Sequence, residues 1–124
     1  MANCLVIDDS ESMREVACGL LAELGHRVRE AADAVSGLER CDEDTDIVLL
    51  DWDLPSLGAL DFLRGAASLA PRPLIILCAT ENDARQFGLA RAVGAGFHVL
   101  KPYDRQSLAL VLEDAGFPAE RAVA

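Results

Sequence analysis

The sequence predicts an α/β fold, a doubly wound five-stranded parallel sheet with helices alternating between the strands. Three observations carry that expectation. Short apolar runs alternate along the 124 residues with stretches whose apolar side chains recur every three or four positions. The runs Cys4-Leu5-Val6-Ile7, Ile47-Val48-Leu49-Leu50 and Leu74-Ile75-Ile76-Leu77-Cys78-Ala79 are near-continuous, as strands covered on both faces require. Residues that bear chemistry stand where such runs end: Asp8 and Asp9, Asp51 and Asp53, Thr80, and Lys101. In a parallel sheet with right-handed crossovers those ends share one edge, where a ligand crevice forms.

The elements follow in order. After the first strand, Met13, Val16, Ala17, Leu20, Leu21 and Leu24 make one apolar helix stripe, and Gly25 is placed to close that helix. Residues 26–30 read as a short strand with Val28 inward. Asp33 caps a second helix carrying Val35, Leu38 and Cys41, which Gly37 weakens slightly. The acidic stretch 42–46 is a solvated connection to the third strand. Asp51 then sits on the sheet rim as an exposed side chain, and Pro55 keeps the chain from simply continuing into a helix or a central strand.

Residues 59–69 give a third helix with Leu60, Leu63 and Ala67 on one face. Pro71 and Pro73 lead into the fourth strand, and the polar turn 80–83 caps a fourth helix reaching about Val93. Gly94-Ala95-Gly96 opens into the strand 97–100, which Lys101-Pro102 ends. Asp104 caps a last helix carrying Leu108, Val111 and Leu112. Phe117 and Pro118 finish it, so residues 1–124 are one domain whose short tail, about 117–124, is frayed.

Composition narrows the function. Hydrophobic residues are 52% and charged ones 26%, as in globular chains. Eleven Lys and Arg against 21 Asp and Glu give a net charge of −10, which argues against nucleic-acid or anionic-membrane partners. No apolar run approaches a membrane span and no signal-peptide pattern opens the chain, so a cytoplasmic location is expected. Cys4, Cys18, Cys41 and Cys78 are far apart and read as small buried hydrophobes, and His26 and His98 are too isolated to hold a metal.

Carboxylates gathered from two strand ends would repel one another, and a hard divalent cation such as Mg²⁺ removes that conflict. Lys101 adds a point charge suited to a transferring phosphoryl group. An aspartate nucleophile, a metal and a lysine are the parts needed to make an acyl phosphate.

Over nearly its whole length the chain resembles the response-regulator receiver (CheY-like, flavodoxin-like fold) family. The matching residues are Asp8-Asp9 in Val-Ile-Asp-Asp-Ser, Asp51 with Pro55 after it, and Lys101-Pro102. The resemblance implies a stand-alone receiver of a two-component system or phosphorelay. Asp51 would take a phosphoryl group from a phosphohistidine on a sensor histidine kinase or histidine phosphotransfer protein. Asp9, Asp51 and the backbone carbonyl of Asp53 would ligate Mg²⁺, with Asp8 helping through water. Lys101 would pair with the phosphoryl oxygens beside a cis bond to Pro102, and Thr80 belongs to the same strand-end set. Such a chain is no enzyme beyond its own phosphoryl transfer and dephosphorylation. Its output would be relay of the phosphoryl group or binding of a downstream protein through the fourth helix, fifth strand and fifth helix.

Three departures bear on that reading. Receivers carry Ser or Thr at the end of strand four, and counting back from Gly94 and Lys101 puts Ala79 there. The apolar strand pattern would put Cys78 there instead. The aromatic switch position in strand five holds His98, and the usual Asp-Gly after the phosphoacceptor loop is missing, with Gly58-Ala59 near it. An alternative is therefore a receiver-fold docking module independent of phosphorylation. Asp51-Trp52-Asp53 also resembles the Asp-x-Asp motif of haloacid-dehalogenase-type phosphatases, but it lies mid-chain in a protein too short for a cap domain.

Overall fold

The apolar runs become strands. In a computed structural model that describes residues 1–119, β1 (Asn3–Ile7), β2 (Arg27–Ala31), β3 (Ile47–Asp51), β4 (Leu74–Ala79) and β5 (Phe97–Leu100) form one parallel sheet ordered β2-β1-β3-β4-β5. Between and after them run α1 (Glu11–Glu23), α2 (Ala34–Arg40), α3 (Gly58–Ala66), α4 (Ala84–Ala92) and α5 (Arg105–Asp114), with a short 3-10 turn at Pro55–Leu57. The chain steps outward from β1 to β2 and then crosses to β3. The strand order therefore reverses between β1 and β3, and their carboxyl ends flank the crevice such sheets use for ligands.

Alternation along the strands divides the core into two layers. Leu5, Ile7, Val48, Leu50, Ile75 and Leu77 pack on one face with Phe62 and Leu63 of α3 and Phe87 of α4. Cys4, Val6, Ile47, Leu49, Ile76 and Cys78 pack on the other with Ala17 and Leu21 of α1 and Leu108, Val111 and Leu112 of α5. All four cysteines are free thiols; Cys4, Cys41 and Cys78 are buried and Cys18 is half-buried.

Helix starts follow local side-chain chemistry. Asp33 accepts from the Ser36 amide, Asp83 from the Arg85 and Gln86 amides, and Asp104 shares a reciprocal capping box with Ser107. Ser10 caps α1, a cap the apolar stripe did not reveal. Phe117 donates its amide to Leu112 O at 2.8 Å and packs on the α1/α5 layer, so it finishes the last helix as expected. Residues 120–124, most of the expected tail, lie outside the described residues.

Three helix stripes rotate from their expected positions. Val16 is 47% exposed, because Ala17 and Leu21 already fill the space between α1 and the sheet. In α3 the buried stripe is Ala59, Phe62, Leu63 and Ala66, since Phe62 takes the central place expected for Leu60; the helix ends at Ala66 and Ala67 is exposed. In α2 Val35 is 70% exposed and the residue facing the sheet is Gly37.

Gly37 sits where a side chain would crowd the core. A Cβ at residue 37 would lie 2.6 Å from Ile7 Cδ1 and 3.4 Å from Phe62 Cδ2, and both side chains are fully buried. Gly37→Ala gains about 1 kcal/mol of helix propensity but overpacks the core, which costs about 1–3 kcal/mol. The expected net result is a loss of about 1 kcal/mol in urea unfolding. Gly19→Ala in α1, where nothing lies within 4 Å of the added Cβ, is expected instead to raise stability by about 0.5–1 kcal/mol. Equal gains in both variants would refute the packing account.

Candidate functional site

Three loops bring the charged residues together. Asp8 follows β1 directly; its amide donates to Ala31 O, and its Oδ1 accepts from the amide of Ser10, the α1 cap, at 2.9 Å. Asp51 is the last residue of β3, and β3 registers with β1 so that Ile7 lies beside Leu50. Lys101 follows β5, where its amide donates to Ala79 O at 2.7 Å, and the Lys101–Pro102 bond is cis as the resemblance implies.

From that position the Lys101 ammonium lies 2.8 Å from Asp8 Oδ2 and 2.9 Å from Asp51 Oδ1. The expectation of an exposed rim aspartate is corrected here: Asp51 is only 3% exposed, because the loops after β1 and β5 close over the end of β3. Burial raises its carboxyl above the ordinary range, and the Lys101 bond and the Asp53 amide only partly offset that. Burial alone would lower the Lys101 pKa, but its bonds to Asp8 and Asp51 raise it above the ordinary lysine value.

Asp9 is exposed, yet one oxygen from each of Asp8, Asp9 and Asp51 can come within 4.8 Å of the others. Three carboxylates against one ammonium leave an excess of negative charge, and an all-oxygen donor set suits a hard divalent cation. Asp51 Oδ1 accepts from both Lys101 and the Asp53 amide (2.9 Å), which leaves Oδ2 without a hydrogen-bond partner among the described residues. The Asp53 carboxylate is not part of this cluster. Its Oδ2 accepts instead from Thr80 Oγ1 at 3.2 Å.

The two counts for the strand-four position fall on the last two residues of β4. Cys78 pairs with Asp51 across the sheet, but it is buried and its thiol is pushed up to about 12 by burial, so it is no anion at neutral pH. Ala79 is the last residue of β4, and Thr80 lies beyond it with its hydroxyl turned to Asp53. No hydroxyl therefore occupies the end of β4. His98, in β5, is half-buried and stacks on Phe87 of α4 with ring centroids 4.0 Å apart.

Two contributors escaped sequence reasoning. Arg14 donates from Nη1 to the backbone oxygen of Asp8 at 2.8 Å and from Nε to Glu30 at 3.1 Å, tying the acidic loop to β2. Its one sequence signal is its place a turn into the helix that starts at the acidic pair. Trp52 donates from Nε1 to Gln86 Oε1 at 2.7 Å, a contact across 34 residues that no local pattern announces.

Comparison with known proteins bears on this arrangement. The family model described as the response regulator receiver domain matches residues 4–113. The chain belongs to the response-regulator receiver family. Chemotaxis protein CheY1 of Helicobacter pylori is 32% identical over 114 residues, covering 88% of this chain and 92% of that protein. The chemotaxis protein CheY homolog of Campylobacter jejuni is 30% identical over 118 residues, covering 89% and 88%. Among solved structures, chemotaxis protein CheY4 of Vibrio cholerae superposes with a TM-score of 0.83 at 25% identity, over 92% of this chain and 98% of that one. This receiver thus keeps the acidic pair, the aspartate and the lysine on one edge, and it lacks a hydroxyl at residue 79. No helix among the described residues is long and apolar enough to cross a membrane.

Proposed function

We propose that this receiver is a cytoplasmic phosphoacceptor in which Asp51 takes a phosphoryl group from a phosphohistidine. The observation that carries the reading is the Lys101 ammonium bridging Asp8 and Asp51 while Asp51 Oδ2 stays free. In the transfer, Oδ2 forms a bond to phosphorus as the P–N bond of the phosphohistidine breaks, and the electron pair leaves on the imidazole nitrogen, which takes a proton. Lys101 then pairs with the new phosphoryl oxygens instead of Asp51 Oδ1.

Asp9, Asp51 and the Asp53 carbonyl would hold Mg²⁺, with Asp8 assisting through water. Bound there, Mg²⁺ neutralises charge on the phosphoryl oxygens. Asp8 positions Lys101, and the Ser10 amide and Arg14 hold Asp8 and its loop in turn. The chain has no turnover of its own beyond loss of the phosphoryl group to water. Its donor is a histidine kinase or histidine phosphotransfer protein, and its output is relay or binding of a protein target.

Ala79 favours a second reading, a docking module whose binding does not depend on phosphorylation. One experiment separates the two. Acetyl phosphate and Mg²⁺ are expected to add one phosphoryl group by intact mass and to change Trp52 emission, and both effects should vanish when Mg²⁺ is chelated. An unchanged mass at saturating Mg²⁺ would favour the docking module.

A further inference from the structure

In this structure the phosphoacceptor loop has a hydrogen-bonded route to α4 that bypasses residue 79. Ala79 offers no polar atom beyond its backbone, and its oxygen already accepts from the Lys101 amide. The two residues after Asp51 each reach across to the β4–α4 region by a side chain. Asp53 Oδ2 accepts from Thr80 Oγ1 at 3.2 Å, and Trp52 Nε1 donates to Gln86 Oε1 at 2.7 Å.

The indole N–H is a donor only, so a carbonyl oxygen is the partner it needs, and the Gln86 amide supplies one. The ring is half-buried against the layer that contains Phe87, and its backbone amide donates to Cys78 O. Gln86 belongs to the first turn of α4, where its own amide is held by the Asp83 cap at 3.3 Å. The next residue, Phe87, stacks on His98 of β5. Asp51, Trp52, Gln86, Phe87 and His98 thus make a contiguous chain of bonds and contacts from the acidic crevice to β5. The loop at its head is sensitive to Asp51, because the Asp53 amide donates to Asp51 Oδ1, and that oxygen also accepts from Lys101.

We propose that the Trp52–Gln86 hydrogen bond is the latch that couples the state of Asp51 to α4 and, through the Phe87–His98 stack, to β5. Drawing Lys101 onto a phosphoryl group frees Asp51 Oδ1, shifts residues 52 and 53, and moves Gln86 with the indole. Gln86 is thus a positioning residue acting through Trp52, remote from the bond-making atoms. The proposal rests on Asp51 being the phosphoacceptor.

The test compares wild type, Gln86→Leu and Gln86→Glu, each loaded with Mg²⁺ and beryllofluoride. Amide hydrogen exchange over residues 84–92 is read beside phosphoryl uptake from acetyl phosphate. Gln86 is exposed, so all three should fold. Loading is expected to change α4 exchange in wild type and in Gln86→Glu, which keeps an acceptor oxygen. In Gln86→Leu that change should fall at least threefold while phosphoryl uptake stays within twofold of wild type. Normal uptake with an undiminished α4 response in Gln86→Leu would overturn the latch and leave the phosphoacceptor intact. A loaded wild type whose α4 does not respond would also overturn it. Absence of uptake in wild type would overturn the phosphoacceptor reading and the latch together.

Discussion

Asp51→Asn is expected to abolish phosphoryl uptake and, in the absence of divalent cations, to stabilise the fold. The first effect follows from chemistry, because a carboxamide is too weak a nucleophile to form the acyl phosphate. The second follows from charge. Asp51 is buried beside Asp8 and Asp9 with one ammonium to serve all three. The amide keeps the side chain's shape, and its oxygen can still accept from the Asp53 amide and Lys101. Lys101 retains Asp8, so the substitution removes repulsion without stranding the cation. A gain on the order of 1 kcal/mol is expected in urea unfolding at neutral pH.

The pH dependence has a definite sign. Burial holds the Asp51 carboxyl above its ordinary 3.8, so the folded state binds that proton more tightly than the unfolded chain does. Wild-type stability therefore falls relative to the variant as pH rises from 3.8 through the folded pKa. The gap between the two proteins should be smallest in acid and full at neutral pH. Adding Mg²⁺ should narrow it, since a cation that binds the native wild type stabilises it by mass action. Phosphoryl uptake by Asp51→Asn, or a variant less stable than wild type without Mg²⁺, would remove Asp51 from the centre of the site.

The sequence made the sheet legible because its strands are buried on both faces and therefore leave unbroken apolar runs. The charged set was legible for a related reason. Each member stands next to such a run, and parallel strands send all their carboxyl ends to one edge. What stayed hidden depends on distances between elements. Gly37 read as a weak point in a helix, whereas its missing Cβ lets α2 settle against Ile7. Asp51 read as exposed because burial at a strand end is decided by loops remote in sequence. The Trp52–Gln86 and Arg14–Asp8 bonds are side-chain contacts of helices whose rotation one sequence does not fix. The caps that were foreseen, Asp33, Asp104 and one within the turn 80–83 that proves to be Asp83, bond to amides two or three residues away, a range at which local sequence determines structure.

Lys101→Met should produce the largest loss of stability of any single change at this site. The side chain is only 11% exposed and makes both ion pairs of the cluster, so methionine keeps the apolar stem and removes the only ammonium there. Asp8 and Asp51 would then be buried without a cation. Breaking a buried pair in this way costs about 3–5 kcal/mol. The lower end is expected here, because each carboxyl can take up a proton and Asp9 remains open to solvent. An exposed lysine would instead change stability by less than about 0.5 kcal/mol, so the magnitude alone discriminates.

Two further arms identify the cause. In Lys101→Met/Asp51→Asn only one of the two stranded carboxylates remains, so the double variant should be more stable than Lys101→Met alone, a non-additivity expected of groups in direct contact. Mg²⁺ should raise the urea midpoint of Lys101→Met more than that of wild type, since a divalent cation can replace the missing charge. In wild type the lysine's contribution should be full below the ordinary lysine value of 10.5 and be lost progressively as pH rises from there through the raised pKa. If the single and double variants lose the same stability and Mg²⁺ restores neither, the loss comes from the packing of the residue 101 stem, and the electrostatic account of the site fails.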